Sequence, residues 1–286
     1  MAQSVLFPPS QLSPAKALAL SQRAPGILLV SRFGEENERV QALMGLLKEA
    51  DAKDNSELEG ILREYDQLLS DNNTNIPIAK RRIALLRSMG RVSDSSSALV
   101  QLLDFSPTDA EAWAELSDIY LSQGLYPQAI YALEEVLVLA PNAWNIHARL
   151  GELQYMAATA PGISSGSHQK GMVEALKRFS RSIELCDDYL RGYYGLKLVR
   201  RSLTNAQNVS KKLLDGGAKA AKQTEDSEFA LPDTNTLERL NELATAKLSE
   251  IVRHSAAHDR GWRGYSEAEV AAARELLSGD ALKAAK

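Results

Sequence analysis

AEAWAELSDIYLSQGLYPQAIYALEEVLVLAPNA, residues 110–143, decides how the rest of the chain is read. Trp113, Leu116 and Tyr120 recur at helical spacing, Gly124 breaks the run, and Pro127 opens a second run at the helix position that tolerates it. In that second run Ala129, Leu133 and Val136 fall on one face, and Pro141 closes the unit. Thr108 and Glu111 stand at capping-box spacing ahead of it. Two short antiparallel helices cannot bury an apolar face by themselves, so the segment is one member of a stacked series.

The spacing of Trp113, Leu116, Tyr120, Gly124, Ala129 and Pro141 is that of a tetratricopeptide repeat, whose period is about 34 residues. One period earlier, about 76–109, Gly90 marks the turn, Leu99 and Leu102 lie on the second helix and Pro107 closes the unit. There Arg82 replaces the usual Leu, and SDSSS after Val92 is expected to delay the second helix. A degenerate unit covers about 38–75, with Met44 and Gly45 on its first helix and Ile61, Tyr65 and Leu68 on its second. In the other direction, about 144–189, His147, Leu150 and Gly151 start a first helix, while Ala175, Phe179 and Ser182 resume a second one late. The surplus at 157–170 contains Pro161 and Gly162 and reads as a surface loop.

A further first helix opens at 190 with Tyr193 and Leu196 and ends near Arg201, followed by a polar connection over 203–235. Leu237, Leu240, Leu243, Ala244, Leu248, Ile251 and Val252 mark an amphipathic helix over 236–258, expected to cap the open end of the array. The tail, 259–286, has Ser266 and Glu269 at capping-box spacing and is expected to fray or to order on a partner. Residues 1–37 form a Pro-containing segment. The fold class expected is all-α, a right-handed tetratricopeptide-repeat α-solenoid with a C-terminal capping helix.

Composition narrows function by exclusion. A net charge of -4, with both signs interspersed, speaks against nucleic-acid binding. Cys186, the single cysteine, precludes an internal disulfide, fits a reducing compartment and is expected to be buried. The N-terminus lacks a basic secretory n-region, and no apolar run approaches the roughly 18 residues of a membrane span, so membrane association is expected through partners. His254 and His258 could share a helix face, but no third ligand is evident, so no metal is expected. His147 reads as a satisfied core histidine. The acidic pairs Glu134/Glu135 and Asp187/Asp188 diverge on a helix, and no phosphate-binding Gly-rich loop occurs. No catalytic residue, enzyme activity or cofactor is expected.

In stacked helix pairs the first helix of each unit lines the groove. Its unpacked face carries Lys80 and Arg87, then Glu111 and Asp118, then Glu152 and Tyr155, then Arg191 and Tyr194. Interleaved charge with tyrosines suits a specific protein partner. The residues that pack the repeats are Trp113, Leu116, Tyr120, Gly124, Ala129, Leu133, Pro141, Leu150, Gly151, Ala175 and Phe179. An alternative is a free-standing adaptor or co-chaperone that clamps a peptide C-terminal carboxylate. Ala114, Asp118 and Arg149 stand where that clamp needs Lys, Asn and Asn, and Asp118 would repel a carboxylate.

The stretch from SPTDAEAWAEL through NIHARLGELQY, the off-period insertion, ALKRFSRSIEL, RGYYGLKL and the divergent last helix resemble subunit 2 of the endoplasmic reticulum membrane protein complex. The similarity runs from about 32 to 202 and is strongest from 104 to 200. Members of that family carry more helical sequence before the first repeat than residues 1–31 here. The resemblance implies a cytosolic scaffold, peripheral to the endoplasmic reticulum membrane, in an insertase that places transmembrane segments. It implies partners among the other subunits, both the cytosolic parts of membrane-anchored ones and a soluble one. No homo-oligomer is expected.

Overall fold

The computed structural model describes residues 30–52, 54–214, 232–257 and 265–284. These form helices α1 (Val30–Asp51), α2 (Asn55–Asp71), α3 (Ile76–Ser88), α4 (Val92–Phe105), α5 (Ala110–Ser122), α6 (Tyr126–Leu139), α7 (Trp144–Thr159), α8 (Ser165–Leu185), α9 (Leu190–Leu214), α10 (Thr234–Ala256) and α11 (Glu267–Ala284), with no strand among the described residues. They fall into two compact units that divide between Ala112 and Trp113.

In the first unit α3 packs against α1, α2 and α4. Ile61, Leu62, Ile78, Ile83, Leu86, Leu99 and Leu102 supply its core, each removing apolar surface from water. Tyr65 is buried among them and donates from its hydroxyl to Glu49 Oε1 at 2.6 Å, while Arg81 pairs with the same carboxylate. Gly45 lets α1 close on this ring, since a Cβ at that position would overlap the Tyr65 phenol.

Turn chemistry repeats one period apart. Gly90 and Gly124 sit at φ 75° and 73°, a left-handed geometry that a Cβ disfavours. After each, an amide reaches back across the turn, Arg91 N to Leu86 O and Leu125 N to Tyr120 O, both at 2.9 Å. The start of α5 differs from expectation. Asp109, not Thr108, caps it, accepting from Ala112 N at 3.1 Å.

In the second unit Leu116, Ala129, Leu133 and Val136 are buried, and Ser117 Oγ donates to Ala129 O at 2.8 Å. Trp113 is half-buried and meets Tyr131 edge-on, centroids 6.1 Å apart. From α7 to α11 one apolar cluster runs through Ala148, Met172, Phe179, Tyr193, Leu248 and Ala273. Phe179 lies between two helices that come close only because Gly151 and Gly195 face its ring.

Several expected boundaries shift. The first helix already runs from Val30, inside the segment assigned to 1–37. SDSSS does not delay α4, which starts at Val92. Ser96 and Ser97 turn their hydroxyls back onto Ser93 O at 2.8 and 3.0 Å, so they fit within the first turns. The irregular stretch expected over 157–170 reduces to 160–164. After Pro161 no further Pro occurs before the end of α8, the Ser164 side chain accepts from Ser167 N, and α7 and α8 lengthen together with Gly166 and Gly171 inside α8. Gly171 makes that closeness feasible, its missing Cβ lying 2.7 Å from Ala158 Cβ. α9 does not end near Arg201 but continues to Leu214, because NAQNVSKK is polar yet free of Gly and Pro.

α10 buries Leu237, Ala244, Leu248 and Ile251 against α9. Lys197 is buried between these helices and donates to Thr245 Oγ1 at 2.7 Å. Lys247 pairs with Asp188 at 2.9 Å and with Asp187 at 3.6 Å, tying α10 to the α8–α9 turn. Across 265–284 the tail forms α11 and rests on the chain itself. Tyr265 donates to Asp188 O at 2.8 Å, and α11 packs on α10.

Candidate partner-binding face

Lys80, on α3, reaches Asp109 at 2.7 Å and Glu111 at 3.0 Å, so the first unit brings two of the candidate residues together. Partial burial opposes the charged ammonium, but the hydrogen bonds and charges of Asp109 and Glu111 outweigh it and raise the Lys80 pKa. Arg87 lies exposed near the end of the same helix.

In the second unit the pattern is an alternating ladder. Arg149 on α7 contacts Asp118 of α5 at 3.2 Å and Glu152 one turn on at 3.0 Å. Burial again disfavours the Arg149 cation, and its two carboxylate partners more than offset this. Arg191 on α9 is held by Glu269 of α11 at 2.7 Å, and the Glu152 charge also favours its cation. The sign therefore alternates from Asp118 through Arg149, Glu152 and Arg191 to Glu269. Pairs this exposed contribute about 0–1 kcal/mol each, so they set register more than stability.

Tyrosines lie beside the ladder. Tyr155 and Tyr194 are half-buried against the apolar cluster, and Arg201 stands near enough for its charge to act on Tyr155. Tyr189, not singled out from the sequence, lies within the fields of Arg191, Glu152 and Glu269, and burial raises its pKa. In the first unit Asp109 joins Lys80 and Glu111, and in the second Arg149 and Glu269 join the ladder. Arg149 was legible only as a departure from a carboxylate clamp. Nothing in periodicity could have placed Glu269, which arrives from the far end of the chain.

Of the packing residues, Leu116, Ala129, Leu133, Leu150, Ala175 and Phe179 are buried, Gly151 faces Phe179 at 3.1 Å, and Tyr120 is half-buried. Pro141 is exposed, but its carbonyl meets His147 Nε2 at 2.9 Å. His147 is only half satisfied, because its Nδ1 is buried without a partner. Cys186 is half-buried rather than buried, since it sits at the C-cap of α8. No cluster of three or more metal-ligating side chains occurs among the described residues, and His258 lies outside them. No helix among the described residues is long and apolar enough to cross a membrane.

Residues 30–169 match the family described as the EMC2 TPR-like repeat domain. The chain is 33% identical to the TPR repeat protein oca3 of Schizosaccharomyces pombe over 77% of this chain and 72% of that one. It is 31% identical to the ER membrane protein complex subunit 2 of Saccharomyces cerevisiae over 65% of each. With subunit 2-A of Xenopus laevis the identity is 28%, spanning 65% of this chain and 58% of the frog protein. Among solved structures, the crystal structure of MamA protein aligns over 77% of this chain and 96% of that one with TM-score 0.50 and 14% identity, a likeness of fold alone. The helix pairs, the left-handed turn glycines and these relatives give one conclusion: the chain belongs to the EMC2 family of tetratricopeptide-type α-solenoid proteins.

Proposed function

We propose that this chain is a non-catalytic scaffold subunit of the endoplasmic reticulum membrane protein complex. It sits peripherally at the cytosolic face of the membrane and supports insertion of transmembrane segments by holding partner subunits. Similarity to proteins named ER membrane protein complex subunit 2 supports the assembly. The observation that carries the mechanism is the ladder from Asp118 to Glu269, flanked by Tyr155, Tyr189 and Tyr194.

The ladder's side chains are already paired within the chain, so a partner meets a preorganised face and loses less entropy on docking than it would against free side chains. The tyrosines supply contact area, and the alternating charges select register. α10 covers α9 with its apolar stripe and is itself covered in part by α11, so the two together close the end of the array. The partners are the cytosolic parts of membrane-anchored subunits and a soluble subunit.

Affinity purification of the tagged chain from detergent-solubilised membranes tests this reading. Recovery with integral-membrane subunits is expected. Recovery with a soluble chaperone alone would instead make the chain a free-standing adaptor.

A further inference from the structure

A cleft of about 440 Å³ opens in the first unit, where the C-terminal ends of α2 and α4 meet the start of α3. Ile76 and Phe105 line it and remain 37% and 57% exposed. Its rim is acidic. Asp66 is neutralised by Arg82 at 2.6 Å, whereas Asp104 forms no ion pair among the described residues.

Helix ends add to this charge. Neither α2 nor α4 has a basic residue in its last turn, so the carbonyl ends of both contribute partial negative charge at the cleft. The N-terminus of α3 supplies the opposite sign, but Asn75 already accepts from Ile78 N at 3.2 Å. An apolar floor thus lies beneath a field that favours a cation.

We propose that this cleft is a docking site, separate from the ladder, for a partner polypeptide segment in which a large apolar side chain is followed by Lys or Arg. The apolar side chain enters between Ile76 and Phe105, and the cation lies against Asp104 and the end of α4. An acidic segment would meet Asp104 and two helix C-termini with the wrong sign. A second copy of this chain is a poor occupant. The exposed apolar residues Tyr131 and Val138 of α6 are accompanied by Glu135, which would oppose Asp104, while Glu134 beside them is paired with Arg178 at 3.4 Å. The site is independent of membership in any complex.

The test uses the full chain and two fluorescein-labelled peptides, Gly-Leu-Phe-Arg-Lys-Gly and Gly-Leu-Phe-Glu-Glu-Gly, titrated by anisotropy at low salt. The basic peptide is expected to bind saturably and about tenfold more tightly than the acidic one. Asp104→Lys should remove that preference, and Phe105→Ser should weaken the basic peptide several-fold. Both side chains are exposed, so circular dichroism should be unchanged. Arg149→Glu, on the ladder, should leave both titrations as in the parent.

Equal affinity for the two peptides would overturn the proposal, as would loss of binding in Arg149→Glu with none in Asp104→Lys. So would a concentration-dependent dimer in sedimentation that Phe105→Ser abolishes, because the cleft would then be a self-interface.

Discussion

Gly195 of α9 faces the edge of the Phe179 ring so closely that a Cβ there would overlap it, and Gly151 of α7 stands 3.1 Å from the same ring. The ring is confined and cannot swing aside. Gly195→Ala should therefore destabilise the protein by about 1–3 kcal/mol, even though Ala is the better helix former by about 1 kcal/mol. Adding Phe179→Leu should recover part of that loss by freeing space. At Gly60 of α2 no atom lies within 4 Å of the added Cβ, so Gly60→Ala should stabilise by up to about 1 kcal/mol. Urea unfolding of the three variants against the parent checks the signs.

The Tyr65, Glu49 and Arg81 group gives an ordered pair of losses. Tyr65→Phe removes one hydrogen bond to a carboxylate that keeps its cation, a cost of about 1–2 kcal/mol. Arg81→Met leaves the mostly buried Glu49 charge without its counter-ion and should cost about 3 kcal/mol. Equal losses in chemical denaturation would contradict the arrangement.

Acid should weaken the second unit through His147. Burial lowers its pKa from the ordinary 6.5, the Pro141 carbonyl opposes this, and Arg178 and Arg181 reinforce it. The unfolded chain binds this proton more readily than the folded one, so stability rises with pH across the gap between the two pKa values. The contribution is complete above pH 6.5 and falls away as pH drops from there toward the lowered folded value. His147→Gln should flatten the thermal midpoint between about pH 5 and 7, a window set by the ordinary imidazole value.

α11 is held partly through Arg191 and Glu269. Arg191→Glu or Glu269→Arg alone should speed amide exchange in 267–284 a few-fold, and the two together should restore it, since an exposed pair contributes about 0–1 kcal/mol. Equal exchange in the single and double variants would show that Tyr265 and the apolar contacts alone hold the helix.

The helix pairs were legible where physics is local. Gly90 and Gly124 announce left-handed turns by residue type, and Leu116, Ala129 and Leu133 announce a buried face by spacing. Structure departs from local signals where composition competes with packing. SDSSS and NAQNVSKK look like connections, yet their polar side chains tolerate a helix that neighbouring turns propagate. The surplus after Met156 has the composition of a loop and exceeds a constant period, whereas α7 and α8 absorb most of it as extra helix around Gly171. Within each unit, period proposes positions one turn apart on the first helices, Lys80 and Arg87 in the first and Glu152, Tyr155, Arg191 and Tyr194 in the second. Their pairing does not follow from period, because Glu269 and Asp109 are set by tertiary approach.

The face formed by the first helices is tested most directly by hydroxyl-radical footprinting of the chain, free and within its purified complex. Tyr155, Tyr189 and Tyr194 should become several-fold less reactive in the complex, while Tyr131, 57% exposed on α6, should react as in the free chain. Protection of Tyr131 with no change at the other three would contradict the account.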